Sequence, residues 1–151
     1  MPKTVIADTS CFIVLEKINE LSLLNNIYRE VITTPEIATE FNKPLPDWIS
    51  IIETKNKLVQ RELEAKIDVG EASAIALGLE IPNCSIILDD LKARKLAASL
   101  KLDFTGTLGV IVKAKQLNLI DSVKPIIRKL REAGLRFSEE IEKDILNQAK
   151  E

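Results

Sequence analysis

Residues 70–90 decide the fold, with the sequence Gly-Glu-Ala-Ser-Ala-Ile-Ala-Leu-Gly-Leu-Glu-Ile-Pro-Asn-Cys-Ser-Ile-Ile-Leu-Asp-Asp. Apolar residues in the first half recur at positions i, i+3, i+4 and i+7, which predicts a helix over 70–79 with a buried face. That face consists of Ala72, Ile75, Ala76 and Leu79. The run 85–88 is uniformly apolar after its serine and predicts a fully buried strand, which the acidic pair Asp89-Asp90 ends. A small-residue helix that leads into a fully buried strand is typical of a parallel α/β sheet.

Strands and helices alternate along the rest of the chain in the same way. The β-prone runs 3–7, 30–34 and 102–105, and the weakly alternating segment 48–53, predict further strands. Further helices are predicted after Asp8-Thr9-Ser10, from Pro35 to Phe41, and over 56–66, 91–100, 107–117, 122–133 and about 138–151. Ser122 is the expected N-cap and Gly134 the expected stop of the helix over 122–133, and Ser138-Glu139-Glu140-Ile141 resembles a capping box. We expect one α/β domain over residues 1–151, with a mainly parallel sheet and helices on both faces.

The composition excludes many kinds of active site. The 151 residues include no histidine and two cysteines, Cys11 and Cys84, so Ser-His-Asp and Cys-His catalysis, Cys/His zinc sites and multi-disulfide scaffolds are excluded. The longest apolar runs fall short of the roughly 20 residues that a membrane-spanning helix needs, and the first residues show no cleavage-site pattern. We therefore expect a cytoplasmic protein without a membrane span, whose chemistry depends on carboxylates.

Positive charge is concentrated in one part of the chain. Residues 91–137 contain eleven Lys and Arg against three acids, a net charge of +8 in a chain whose net charge is −2. This asymmetry indicates a basic surface that can contact a polyanion such as nucleic acid. The candidate phosphate contacts are Lys92, Arg94, Lys95, Arg128, Lys129 and Arg131. Aromatic residues make up 4% of the chain, which argues against an extended base-stacking platform.

Acidic residues beside apolar faces form the candidate catalytic set. They are Asp8, Glu40, Glu71 and the pair Asp89-Asp90. Asp8 and the pair both follow predicted strands, and ligands of such sheets bind at the carboxyl ends of the strands. Each acid alone also has a structural explanation as a helix cap, a partner of a helix dipole or a solvated edge residue.

Convergence of these acids would give them a chemical function. Clustered carboxylates repel one another, which raises their pKa values unless a cation neutralises them. Oxygen ligands favour Mg²⁺ or Mn²⁺. A metal ion held by carboxylates can activate water and stabilise the leaving oxygen in phosphodiester hydrolysis without histidine.

The ordered motifs of the chain resemble the PIN-domain nucleases, and within them a prokaryotic branch related to the VapC-type toxin ribonucleases. The resemblance spans nearly the whole chain. The motifs that carry it are Val5-Ile6-Ala7-Asp8-Thr9-Ser10, Pro35–Phe41, Asp68–Leu77, Ile86–Arg94, Gly106–Val110 and Gly134–Ser138.

The resemblance also implies site residues. The acidic positions of the family match, in order, Asp8, Glu40, Glu71 and one residue of the pair Asp89-Asp90. Asp90 is the preferred fourth acid because its spacing from Leu88 and Ala93 fits better. The implied metal ligands are Asp8, Glu71 and Asp90 or Asp89, and the hydroxyl of Ser10 is implied to support the first acid and its water. Many members have Asp where this chain has Glu71.

The resemblance further implies a three-layer α/β/α PIN-like fold with a five-stranded sheet and a Mg²⁺- or Mn²⁺-dependent endoribonuclease. It also implies a homodimer and the toxin of a toxin–antitoxin pair, with an antitoxin protein as partner. The apolar segments 13–15 and 21–24 are the expected surfaces for self-association or for such a partner. The alternative is a PIN-like module that binds RNA or a protein without cleaving RNA.

Overall fold

The computed structural model describes residues 4–151, so Lys3, the first residue of the predicted strand 3–7, lies outside the described residues. Every predicted strand is found, and some are shorter than predicted. The strands are β1 Thr4–Ala7, β2 Glu30–Thr33, β3 Ile49–Ile51, β4 Cys84–Ile87 and β5 Phe104–Thr105.

Helices follow the strands as predicted, with one addition. Their bounds are α1 Thr9–Lys17, α2 Ser22–Ile27, α3 Pro35–Phe41, α4 Lys57–Glu64, α5 Val69–Gly78, α6 Leu91–Ser99, α7 Thr107–Gln116, α8 Lys124–Glu132 and α9 Glu139–Gln148. Helix α2 was not predicted. Within residues 4–151, no helix is both long enough and apolar enough to cross a membrane.

The central sheet has the strand order β3-β2-β1-β4-β5, and every pairing is parallel, which confirms the α/β prediction. Helices flank the sheet in the three-layer arrangement that the resemblance implied. After β1 the chain adds β2 and β3 towards one edge of the sheet, and after β4 it adds β5 towards the opposite edge. The crevice where such connections diverge is where open α/β sheets bind ligands. Because Ala7 pairs with Ile87, Asp8 and the pair Asp89-Asp90 come out at this crevice.

Helix α5 is buried on almost every side, because it packs against β1, β4, α3, α4 and α6. Its small residues permit this close packing. A Cβ built on Gly78 would lie 2.6 Å from Cδ1 of Ile86, so the helix and β4 approach closely there. The predicted buried face was wrong at its last residue: Leu79 follows the helix and is 45% exposed.

The expected apolar surface on segments 13–15 and 21–24 was wrong for most of its residues. Val14, Leu15, Leu23 and Leu24 are buried in the core. Ile13 alone among the large apolar residues of these segments is clearly exposed, at 38%. Helix α2 packs against β2 and α7, which explains why its leucines face inward.

The predicted cap of α8 was off by one residue, whereas the predicted start of α9 at Ser138 is confirmed without its capping box. Helix α8 begins at Lys124 with Val123 as its N-cap. The Ser122 hydroxyl accepts from the N–H of Lys124 at 3.3 Å and donates to the Glu151 carboxylate at 2.5 Å. Ser138 does cap α9 by accepting from the N–H of Ile141 at 3.2 Å. With Ser138 as the N-cap, position N3 is Ile141, whose side chain cannot accept a hydrogen bond from the N–H of Ser138 as a Glu or Gln does in a capping box. Gly134 follows α8 with a φ of 107°, as expected of a helix stop.

Candidate active site

Asp8 lies at the carboxyl end of the central strand β1 and caps helix α1. Its Oδ1 accepts a hydrogen bond from the N–H of Cys11 at 3.1 Å, and the residue is only 4% exposed. The Thr33 hydroxyl donates to the carbonyl oxygen of Ala7 at 2.9 Å and holds this strand end against β2. Burial raises the pKa of Asp8 well above its usual range, and the negative charge of Asp89 raises it further. The fold thus places a carboxylate where its charged form lacks solvation.

The first turn of α5 brings two more acids to this end of the sheet. Asp68 caps the helix and accepts from the N–H of Glu71 at 2.9 Å. Burial raises the pKa of Glu71 to about 7, with additional contributions from the charges of Asp68 and Asp90. Glu71 and Asp68 also act on Asp8, whose pKa their charges raise. These carboxylates are therefore close enough to repel one another.

Asp68 was missed as a candidate site residue, although a local signal was available. The sequence Asp68-Val69-Gly70-Glu71 has the spacing of an N-cap followed by an acid at N3, which marks a helix start. Capping explains the position of Asp68 in the chain. Its influence on Asp8 is visible only in three dimensions.

Buried hydroxyl groups fix the start of α5. The Thr34 oxygen accepts from the N–H of Ile37 at 3.2 Å and lies 2.6 Å from the Ser73 oxygen. Ser73 donates to the carbonyl oxygen of Gly70 at 2.7 Å, so Thr34 donates to Ser73. This chain of hydrogen bonds ties the first turn of α5 to the first turn of α3. It positions Glu71 relative to the helix that carries Glu40.

A cleft of about 350 Å³ gathers four of the predicted site residues. We call it the acid cleft; its lining is Asp8, Thr9, Ser10, Ile13, Glu40, Asp68, Gly70 and Glu71. Gly70 allows Glu40 to approach, because a Cβ there would lie 3.2 Å from Oε1 of Glu40. The hydroxyl oxygen of Thr9 is buried and has no hydrogen-bond partner in the described part of the chain.

The acidic pair after β4 is divided between two positions. Asp89 accepts from the N–H and the hydroxyl of Thr107 at 2.8 and 2.6 Å, which fixes it at the start of α7. Asp90 caps α6 by accepting from the N–H of Ala93 at 3.0 Å, and it is exposed. The charge of Asp89 acts on Asp8, whereas that of Asp90 acts on Glu71. The choice of Asp90 as the fourth acid stays a prediction, and Asp89 is the member of the pair that raises the pKa of Asp8.

The donor atoms around the acid cleft fit a hard divalent cation in their chemistry. They are carboxylate and hydroxyl oxygens, the carboxylates repel one another, and the Thr9 oxygen has no hydrogen-bond partner among residues 4–151. Among residues 4–151, however, no three His, Cys, Asp or Glu side chains are grouped so that they could hold a metal ion. The acids therefore surround the cleft without forming a complete coordination group.

The predicted phosphate contacts on α6 differ in their surroundings. Lys92 is exposed and lies with Asp68, Glu71 and Asp90 around a shallow pocket beside the acid cleft. Lys95 is also exposed. The guanidinium of Arg94 donates to the carbonyl oxygen of Leu88 at 2.8 Å, so part of its hydrogen-bonding capacity is used within the protein.

The basic residues of α8 lie apart from the acid cleft. Arg128 and Arg131 line a groove between α8 and α9, and Lys129 is exposed. Arg131 is paired with Glu142 at 3.2 Å and stacks on Phe137 at 4.2 Å from the ring centre. The structure does not bring these three residues to the acids.

A parallel α/β sheet with carboxylates at the switch point of its strand order defines an open α/β protein whose acids lie at the edge where such sheets bind ligands. The family model that matches the chain is described as a PIN domain and covers residues 4–151. The chain belongs to the PIN-domain family, which confirms the resemblance at the level of the family. No curated protein matches the sequence. PIN domains are generally nucleases and typically use divalent metals.

Proposed function

We propose that the protein is a divalent-metal-dependent endoribonuclease that hydrolyses phosphodiester bonds at the acid cleft. The observation that carries the proposal is the buried Asp8, whose pKa is raised by burial and by three other acids at the switch point of the sheet. Repulsion among these carboxylates destabilises the folded protein when no cation is bound. Such an arrangement is expected where a cation neutralises the charge during function.

The side chains have distinct functions in this proposal. Asp8, Glu71 and Asp89 or Asp90 would hold Mg²⁺ or Mn²⁺, which would supply Lewis-acid activation of water and stabilisation of charge on the leaving oxygen. Glu40, whose carboxylate lies close to the backbone of Gly70, orients the attacking water. Ser10 supports Asp8 and that water.

Exposed cations beside the cleft supply affinity for the substrate. Lys92 borders the acids directly, and Lys95 lies on the same helix. Phosphate contacts of this kind position a nucleic acid strand without reading its sequence. Arg128, Lys129 and Arg131 are a second proposed contact region, farther along the strand.

The test is cleavage of a mixed RNA panel by purified wild type, Asp8→Asn and Glu71→Gln, with Mg²⁺, with Mn²⁺ and with a chelator. We expect metal-dependent cleavage by wild type and a loss of at least about 100-fold in both variants, because each loses a ligand charge. Asp144→Asn and Glu132→Gln are matched controls, because both residues are exposed and lie outside the acid cleft. Unchanged cleavage by Asp8→Asn would refute the assignment of the site.

One observation favours a second function, a PIN-like module that binds RNA or a protein without cleaving RNA. It is the lack, in residues 4–151, of three acids gathered as a group able to hold a metal. This function predicts RNA affinity that a chelator does not change, together with no cleavage in any buffer. The RNA panel distinguishes the two functions directly.

We also propose that the protein acts in the cytoplasm as a homodimer and as the toxin of a toxin–antitoxin pair. The support is the likeness of the ordered acidic motifs to the VapC-type branch of the family. Expression of wild type in a bacterial host should then arrest growth, and expression of Asp8→Asn should not. Equal growth in both cultures would contradict the toxin assignment.

A further inference from the structure

A second cleft, larger than the acid cleft, opens beside Asp89, which does not line the acid cleft itself. It has a volume of about 620 Å³ and lies between α6, β5, the start of α7 and the segment 135–148. We call it the aromatic cleft; the lining residues used below are Asp89, Arg94, Phe104, Arg136, Phe137 and Ile141. Asp8 and Asp89 follow neighbouring strands in which Ala7 pairs with Ile87, so both leave the sheet at the same edge. The aromatic cleft, which Asp89 lines, therefore begins beside the acids.

Two of the four phenylalanines of the chain line this cleft, and each carries an arginine on its ring. The guanidinium of Arg94 lies 5.1 Å from the ring centre of Phe104, and that of Arg131 lies 4.2 Å from the ring centre of Phe137. Arg131 lines the groove on α8 and not the cleft, so it supports Phe137 from outside. The two rings are thus held in place before any ligand binds.

Hydrogen bonds reinforce both supports. Arg94 donates to the carbonyl oxygen of Leu88, and Arg131 pairs with Glu142 and donates to the carbonyl oxygen of Phe137 at 3.4 Å. Rings and guanidinium planes fixed in this way are the surfaces on which unstacked bases of single-stranded RNA stack. Two rings provide a small aromatic surface, which agrees with the exclusion of an extended stacking platform by the low aromatic content.

The charge of the cleft also matches a nucleotide. Arg94 and Arg136 line it, whereas Asp89 is the one carboxylate among its lining residues. Arg136 is exposed, and Gln148 adds an amide that can bond a base edge. An apolar lining with two cations and an amide has the properties of a base-binding pocket with phosphate contacts.

We propose that the aromatic cleft binds one unstacked base of the RNA substrate next to the scissile phosphate. Phe104 and Phe137 supply the stacking surface, and Arg136 contacts the adjoining phosphate. The inference rests on the proposed cleavage of RNA at the acid cleft and adds the place where the enzyme holds a base. It makes Phe137 and Ile141 determinants of substrate affinity.

The test measures RNA binding separately from cleavage. Asp8→Asn protein is titrated into a labelled single-stranded RNA of about 12 nucleotides, and affinity is followed by fluorescence anisotropy. Phe137→Ala and Ile141→Glu, each added to Asp8→Asn, should weaken binding by about 5-fold to about 150-fold, the range for loss of one stacked base. Ile141 is 46% exposed, so its substitution leaves the core intact.

A matched control separates this effect from added negative charge. Leu58→Glu introduces the same side chain at a residue that is 72% exposed and outside the aromatic cleft, and it should leave the affinity unchanged. A 2-aminopurine placed at successive positions of the RNA should gain fluorescence on binding at one position, because it is unstacked from the neighbouring bases that quench it, and Phe137→Ala should reduce that gain.

The outcomes distinguish this inference from the proposed function. Affinity of Ile141→Glu equal to that of Leu58→Glu, or no binding of RNA by Asp8→Asn protein, would overturn the base site even if wild type cleaves RNA. Weakened binding by both cleft variants supports the base site even if Asp8→Asn cleaves as fast as wild type, which would refute only the assignment of the acids.

Discussion

Glu71→Gln should stabilise the metal-free protein at pH 8, although it removes a proposed metal ligand. The pKa of Glu71 rises to about 7 in the folded protein because of burial and the charges of Asp68 and Asp90. Between the unfolded value and about 7 the native state binds more protons than the unfolded state, so stability falls as pH rises through this range. Above pH 7 Glu71 is ionised in both states, and the folded protein carries the whole free-energy cost of holding that charge. Glutamine cannot ionise and avoids it.

The size of the effect follows from the pKa change. A rise from 4.5 to about 7 corresponds to a ceiling of about 3.4 kcal/mol. The side chain is only half-buried, so solvent screening reduces the expected gain to about 1.5 kcal/mol. For a chain of this length, that free energy raises Tm by about 3 to 6 °C.

Thermal unfolding in chelator at pH 4, 6 and 8 measures this gain. The difference in Tm between Glu71→Gln and wild type should be near zero at pH 4 and reach its full value at pH 8. The matched control is Glu132→Gln, an exposed residue of α8, whose Tm should follow that of wild type at each pH. An equal difference at pH 4 and pH 8, or a lower Tm for Glu71→Gln at pH 8, would refute the reasoning.

Two further substitutions test the supports of the site. Thr107→Val removes the hydroxyl that donates to Asp89 at 2.6 Å and should lower the free energy of unfolding, measured in denaturant, by about 1 to 3 kcal/mol. The control Thr105→Val removes a longer hydrogen bond of 3.4 Å and should lower it less. Equal losses in the two variants would contradict the importance of the Asp89 contact. Ser73→Ala breaks the buried hydrogen-bond link between Thr34 and Gly70 and should also lower the free energy of unfolding by about 1 to 3 kcal/mol. The control Ser99→Ala removes a hydrogen bond of the same length at an exposed residue and should change that free energy by no more than about 0.5 kcal/mol. A Ser73→Ala protein as stable as Ser99→Ala would show that the link is unimportant.

The strands and most helices were predictable because their signals are local. Buried apolar runs marked the strands, and Pro35, Asp8 and Ser138 marked helix starts. The capping hydrogen bonds at these starts reach only three residues along the chain. Helix α2 escaped prediction because its leucines could face solvent or core. Contact with β2 and α7, which are distant in sequence, decides that they face the core.

The candidate site was predictable in its residue types and only partly in its geometry. Asp8, Ser10, Glu40 and Glu71 do line one cleft, as the motif order implied. The sequence could not predict that Asp89 binds Thr107 while Asp90 caps α6, because this difference depends on the position of Thr107, eighteen residues after Asp89.

By itself the sequence determined the parallel α/β class and the exclusion of histidine chemistry, and it predicted most of the acids at the carboxyl edge of the sheet. Periodicity and capping act over a few residues, so they can be recognised in one chain. Only the tertiary structure decided that Asp68 acts on Asp8, that Asp89 is bound by Thr107, and that Arg131 supports Phe137. The physical reason is that charge repulsion, hydrogen bonding across elements and ring stacking depend on distances in space, which the strand order and the packing of the helices set.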